Sequence, residues 1–153
     1  MQIGVIGSGY CSKEIESIAE DVGREIAKRG AILLCGGLLG VMEAAARGAK
    51  MEGGITVGIL PGFKKDEANK YIDIKIPTGL SEARNIIIVR ASDALISISG
   101  GYGTLSEIAF ALKLRKPVIG IKTWEVSKDL IIAKDPKEAV NMAISLIKKG
   151  YQY

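Results

Sequence analysis

Two ionisable side chains and one turn have the types and spacing that could do chemistry. The stretch Ser99-Gly-Gly-Tyr-Gly-Thr104 follows Asp93-Ala-Leu-Ile-Ser-Ile98, an apolar run with the length of a buried strand. It precedes Leu105, Ile108, Ala109 and Leu112, which recur on one face of a helix. A strand, a glycine turn and a helix in that order leave backbone amides bare at the positive end of a helix dipole, where an anion is stabilised. Gly100, Gly101 and Gly103 let a ligand approach the main chain, and Thr104 adds a hydroxyl donor. Gly100, Gly101, Tyr102, Gly103 and Thr104 are therefore candidate phosphate-binding residues. Glu107 lies one turn deeper, where a carboxylate suits the dipole but repels the phosphate that the turn invites. Two readings stand for it: the partner of Thr104 in an S/T-x-x-E capping box, or a catalytic carboxylate. Arg84 falls near the start of a helix expected over 81–91, where a cation opposes the dipole. It calls for an external anion or a carboxylate partner, against the ordinary alternative of a surface salt bridge.

Composition narrows the chemistry. The 153 residues are 48% hydrophobic and 25% charged, with 19 glycines, as in a globular chain, and they suffice for one domain over 1–153. There is no histidine, which removes the commonest metal ligand and the commonest general base together. Cys11 and Cys35 lack zinc-site spacing, so neither a metal nor a cofactor is expected. The net charge of +4 is scattered, with Lys64-Lys65 and Lys148-Lys149 the tightest pairs, so nucleic acid is not the expected partner. No apolar run reaches membrane-spanning length, and Met1 leads directly into an apparent strand; the expectation is a cytoplasmic protein.

The elements that position the candidate residues alternate. Strands are expected at 2–7, 31–35, 55–60, 72–76, 93–98, 118–121 and 130–133. Helices are expected from about 14 to 29, from 42 to 52, over 81–91 capped by Ser81, over 104–113, and from 136 to 149 behind Asp135-Pro136. Near-continuous apolar strands separated by helices predict an α/β, Rossmann-like, doubly wound, mostly parallel sheet with helices on both faces. The alternating 72–76 strand belongs at an edge. Ligands in such folds lie beyond the carboxyl ends of the strands, where three glycine turns arrive: Gly7-Ser8-Gly9, Gly36-Gly37 through Gly40, and Gly100 through Gly103. Gly7, Ser8, Gly9, Gly36 and Gly37 thus join the candidate nucleotide-binding residues. The first unit lacks the full G-x-G-x-x-G, and Cys35 stands where an acidic residue would hold a ribose, so a conventional NAD site is not expected. Trp124, in a loop, is a lid, a subunit contact or a satellite core residue. The small residues Ala44, Ala45, Ala46 and Ala49 allow close approach to the sheet or to a second subunit.

Ser99-Gly-Gly-Tyr-Gly-Thr-Leu-Ser-Glu107 resembles the signature P-G-G-x-G-T-x-x-E of the family once called lysine decarboxylases, which includes the LOG cytokinin-activating phosphoribohydrolases; it departs only at the proline. Arg84 keeps the family's nine-residue interval to Asp93, and Gly36-Gly37-Leu-Leu-Gly40-Val-Met42 is similar to a second glycine signature. Ala83-Arg84-Asn85 replaces the family's Glu-Arg-Lys. The resemblance implies a homodimer and cleavage of the N-glycosidic bond of a nucleoside 5'-monophosphate, giving free base and ribose 5-phosphate. The phosphate would lie on the 101–104 amides, Glu107 would address the sugar, and Arg84 would steady Glu107 or the sugar. The departures leave a non-catalytic nucleotide-binding or sensing module as the competing expectation.

Overall fold

The computed structural model describes residues 1–150. One sheet contains β1 (Gln2–Gly7), β2 (Ile32–Cys35), β3 (Thr56–Leu60), β4 (Ile74–Pro77), β5 (Ala94–Ile98), β6 (Val118–Ile121) and β7 (Ile131–Ile132). Their order is β4-β3-β2-β1-β5-β6-β7, and every neighbouring pair is parallel. The helices are α1 (Lys13–Lys28), α2 (Val41–Met51), α3 (Asn85–Ala91), α4 (Tyr102–Lys113) and α5 (Pro136–Lys148), with single 3-10 turns at Lys65–Glu67 and Ser81–Arg84. The expected doubly wound α/β architecture is thus present.

All five residues of β3 and of β5 are buried, as parallel strands covered on both faces require. On one face Ile3, Val5, Leu33 and Ile96 pack with α1, α2 and α5; on the other Ile6, Leu34, Ile59 and Leu95 pack with α3 and α4. The chain lays β1 to β4 outward in one direction, then returns to place β5 on the free side of β1. That reversal opens a crevice at the carboxyl ends of β1 and β5, where doubly wound folds bind ligands.

Local chemistry fixes the helix ends. Ser12 Oγ accepts from Ile15 N at 3.3 Å to cap α1, and Asp135 Oδ1 accepts from Glu138 N at 2.8 Å to cap α5, with Pro136 in its first turn. Ser81 does not cap. Its φ of 48° lies in the left-handed region, and its N–H donates to Pro61 O at 2.9 Å, so the segment leaves β4 tied to the 61–62 turn and reaches α-helical geometry only at Asn85.

Two further expectations change. The small residues of α2 face α1: a Cβ at Gly48 would collide with Glu20 O, and one at Gly23 with Ala45 O. Ala44, Ala45, Ala46 and Ala49 are all buried within the chain, so they are used internally and give no support to a subunit contact. The β4 strand does lie at the edge, but its isoleucines are the wetter positions. Ile74 and Ile76 pair with Val57 and Ile59 on the face covered only by α3 and α4, which do not reach that far. Among the described residues no helix is long and apolar enough to cross a membrane.

Candidate functional site

A cleft of about 200 Å³ opens at the switch point between β1 and β5. Each of the three glycine turns contributes to it: Gly7, Ser8 and Gly9 after β1, Gly36 after β2, and Gly101, Gly103 and Thr104 after β5. Arg84 and Glu107 line the same space. Nine of the twelve sequence-predicted site residues therefore come together. Gly37, Gly100 and Tyr102 do not line it. Gly37 turns away beneath Leu60, its carbonyl accepting from Asn69 N at 2.9 Å, while Gly100 faces a neighbouring hollow and Tyr102 projects outward.

Close packing shapes the walls. A Cβ on Gly7 would lie 2.6 Å from both Ile98 O and Val41 Cγ1, and one on Gly36 would lie 2.6 Å from an Arg84 terminal nitrogen and 2.7 Å from Met42 Sδ. Gly40, with φ of 63°, abuts the Ser8 and Gly9 backbone, and Val41 N donates to Ser8 O at 3.0 Å, which sews the first two turns together. Ser8 Oγ accepts from Tyr10 N at 3.1 Å and stabilises its own turn.

The start of α4 differs from this. Gly101 is its N-cap and makes no side-chain hydrogen bond, and the first amide of the helix to reach a protein acceptor is Leu105 N, which donates to Gly101 O at 3.0 Å. The amides of Tyr102, Gly103 and Thr104 are left for an external acceptor. The helix begins two residues earlier than Thr104, so Thr104 and Glu107 are too deep to form the expected capping box, and both are buried against the cleft.

Arg84 and Glu107 are 8% and 6% exposed. The guanidinium is fastened to main chain and to its neighbour. Nε donates to Ile59 O at 2.7 Å, one terminal nitrogen to Gly36 O at 3.3 Å, and the other to Asn85 Oδ1. It makes no ion pair with Glu107, so the expected steadying of that carboxyl by Arg84 is not what holds it. The Glu107 carboxyl has no hydrogen-bond partner among the described residues. Burial pushes its pKa up to about 8, and the Arg84 charge offsets only part of that. Burial likewise lowers the pKa of Arg84, opposed by the Glu107 charge. Glu107 is therefore neutral at pH 7, which removes the repulsion that the sequence posed: a protonated carboxyl beside a phosphate donates rather than repels.

Sequence reasoning missed Asn85 and Met42, which also line the cleft. Asn85 accepts from Arg84 and donates to Ser106 Oγ at 3.2 Å, and Ser106 Oγ donates to Gly103 O at 2.6 Å, so a polar chain runs from the arginine to the first turn of α4. The substitution of Asn85 for a basic residue was the available signal. Cys35 is fully buried, with Gly37 N donating to Sγ at 3.4 Å and its pKa pushed up to about 11; burial also raises that of Cys11. Neither is an activated thiol.

Fold and cleft together define a Rossmann-like protein with a small-molecule site at the switch point of a parallel sheet. Residues 1–148 match the SLOG cluster4 family, and the chain belongs to that family. An uncharacterized protein of Archaeoglobus fulgidus is 54% identical over 145 residues, 95% of each chain. The molybdenum cofactor binding protein of Rippkaea orientalis has a similar structure, with a TM-score of 0.90 and 38% identity over 95% of this chain and 96% of that one. The Moco carrier protein of Chlamydomonas reinhardtii gives a TM-score of 0.88 and 37% identity over 97% and 98%.

These similarities correct the hydrolase expectation. The cytokinin riboside 5'-monophosphate phosphoribohydrolase of Mycobacterium tuberculosis is 33% identical but covers 75% of this chain and 69% of its own, which supports kinship in the wider LOG-like superfamily. The whole-length similarity is to binding and carrier proteins, and the site agrees with it. A carboxyl that is neutral at pH 7 offers little charge to an oxocarbenium-like transition state, and the arginine beside it is held by carbonyls. The non-catalytic alternative is the better supported of the two.

Proposed function

We propose that this chain binds and retains, without cleaving it, a phosphorylated small molecule in the β1–β5 cleft, as a carrier or sensor, and that the ligand is a nucleotide or a phosphate-bearing organic cofactor such as the molybdenum cofactor. The observation that carries this reading is the pair Gly101 and Gly103. Both line the cleft, neither has a positive φ, and a Cβ on either would meet no protein atom within 4 Å. Backbone strain and packing give no reason for glycine there. Access of a ligand to the α4 amides does. The phosphate accepts from the Tyr102, Gly103 and Thr104 amides and the Thr104 hydroxyl, and the neutral Glu107 carboxyl donates to an oxygen beside it. Arg84 contributes positive potential from a fixed position.

Calorimetric titration with ribose 5-phosphate, GMP and the molybdenum cofactor tests the proposal, with chromatography of the recovered ligands. Saturable binding with every ligand recovered intact is the expected result. Release of free base from GMP, or failure of all three to bind, would overturn it.

A further inference from the structure

Adjacent to the cleft at the same glycine turn lies a second hollow, of about 350 Å³, lined by Ser99, Gly100, Lys122, Thr123, Trp124 and Glu125. The two meet at the glycine turn, since Gly101 lines the cleft and Gly100 the hollow. The floor is rigidly built. Ser99 and Lys122, which follow β5 and β6, both hold left-handed φ values, 51° and 49°. Ser97 Oγ and Thr123 Oγ1 are 2.7 Å apart, and Thr123 Oγ1 donates to Ser99 O at 2.7 Å, which ties the two strand ends together.

Trp124, the chain's one tryptophan, is fixed at two points. Its Nε1 donates to Gly101 O at 3.2 Å, and its ring stacks on Tyr102 with centroids 6.2 Å apart and planes 25° from parallel. Both rings keep open surface: Tyr102 is 84% exposed and Trp124 36%. A satellite core residue would be covered, and a mobile lid would not be bonded to the turn that it is meant to uncover. Two pre-ordered aromatic rings at the start of α4 offer instead a flat apolar surface whose ordering entropy is already met by the fold. Lys122 is held by Glu14, whereas Glu125 has no partner among the described residues and provides an acceptor at the rim.

We propose that the hollow and its Tyr102–Trp124 platform form a second subsite, which takes the planar heterocycle of a ligand whose phosphate rests on the first amides of α4. This rests on the reading of the cleft given above and adds that the ligand carries an aromatic ring, with a ring N–H or amino group directed at Glu125.

The test compares GMP with ribose 5-phosphate by calorimetry and by the emission of Trp124. GMP is expected to bind about tenfold more tightly and to change the emission, as base–aromatic stacking of ordinary strength requires, while ribose 5-phosphate leaves the emission nearly unchanged. Trp124→Ala should lower GMP affinity about tenfold and ribose 5-phosphate affinity far less. Tyr102→Ala, which leaves the Trp124 bond to Gly101 in place, should act in the same sense, and Trp124→Phe should restore most of the difference. Equal affinity for the two probes in the native chain, or equal weakening of both by Trp124→Ala and Tyr102→Ala, would overturn the subsite while leaving the cleft reading intact. Failure of both probes to bind would overturn the subsite, and failure of the molybdenum cofactor as well would remove the cleft reading with it.

Discussion

Arg84 and Glu107 occupy one cleft without pairing. The guanidinium bonds to the carbonyls of Ile59 in β3 and Gly36 just after β2 and to Asn85, and the carboxyl, its pKa pushed by burial up to about 8, keeps its own proton at pH 7. Their relationship is electrostatic at a distance: each charge moderates the effect of burial on the other. A fixed cation and a neutral donor in the same small space favour an anionic ligand over a cationic one.

Glu107 makes stability depend on pH in a defined direction. The carboxyl titrates near its ordinary 4.5 in the unfolded chain and at about 8 in the folded one, so the folded state holds the extra proton between those values. The stability that this group contributes is complete below about pH 4.5 and is lost as pH rises through about 8. Glu107→Gln cannot ionise. Urea titrations should find it more stable than the native chain by roughly 2–4 kcal/mol at pH 9, and little different at pH 4.5.

Phosphate affinity should follow the same group. Below pH 8 the Glu107 proton is available to a phosphate oxygen, and above it a buried carboxylate faces the ligand. Affinity for ribose 5-phosphate is expected to fall as pH rises through about 8, and Glu107→Gln to flatten that dependence. Calorimetry in buffers of different ionisation enthalpy should also show proton uptake on binding by the native chain near pH 8, absent from the variant. A flat native profile would rule out Glu107 as the donor.

Two glycines should separate stability from binding. Gly103 lies in the first turn of α4 with open space around it, so Gly103→Ala is expected to hold or raise stability by about 0.5–1 kcal/mol while weakening phosphate binding. At Gly36 a Cβ would meet Arg84 and Met42, and Gly36→Ala should cost about 1–3 kcal/mol. Thermal unfolding with and without ribose 5-phosphate distinguishes the two.

Much of this was legible in the chain. The buried runs at 93–98 and 55–60, the Ser12 and Asp135 caps and the three glycine turns specify a parallel sheet and the edge on which its cleft lies, because each signal is local and agrees with its neighbours. The roles of Glu107 and Arg84 were not legible. Whether Thr104 caps α4 depends on where the helix begins, and its start at Tyr102 is set by a glycine whose conformation the sequence leaves open. The partners of Arg84 are carbonyls of Ile59 and Gly36, which are 25 and 48 residues away and anonymous in a sequence. The neutrality of Glu107 follows from burial, a property of the assembled fold. The exposed isoleucines of β4 and the inward-facing alanines of α2 have the same cause, since helix placement decides which apolar faces are covered.

The backbone contact of α1 with α2 at Gly23 and Gly48 has a mechanical consequence. Both helices begin at turns that form one wall of the cleft, and those turns are themselves joined through Val41 and Ser8. With backbone against backbone at these two points and Arg47 of α2 paired to Glu16 and Glu20 of α1, the two helices form one stiff block. Any breathing of the crevice to admit or discharge a guest is thus assigned to the opposite flank, where α3 and α4 meet through ordinary side-chain packing.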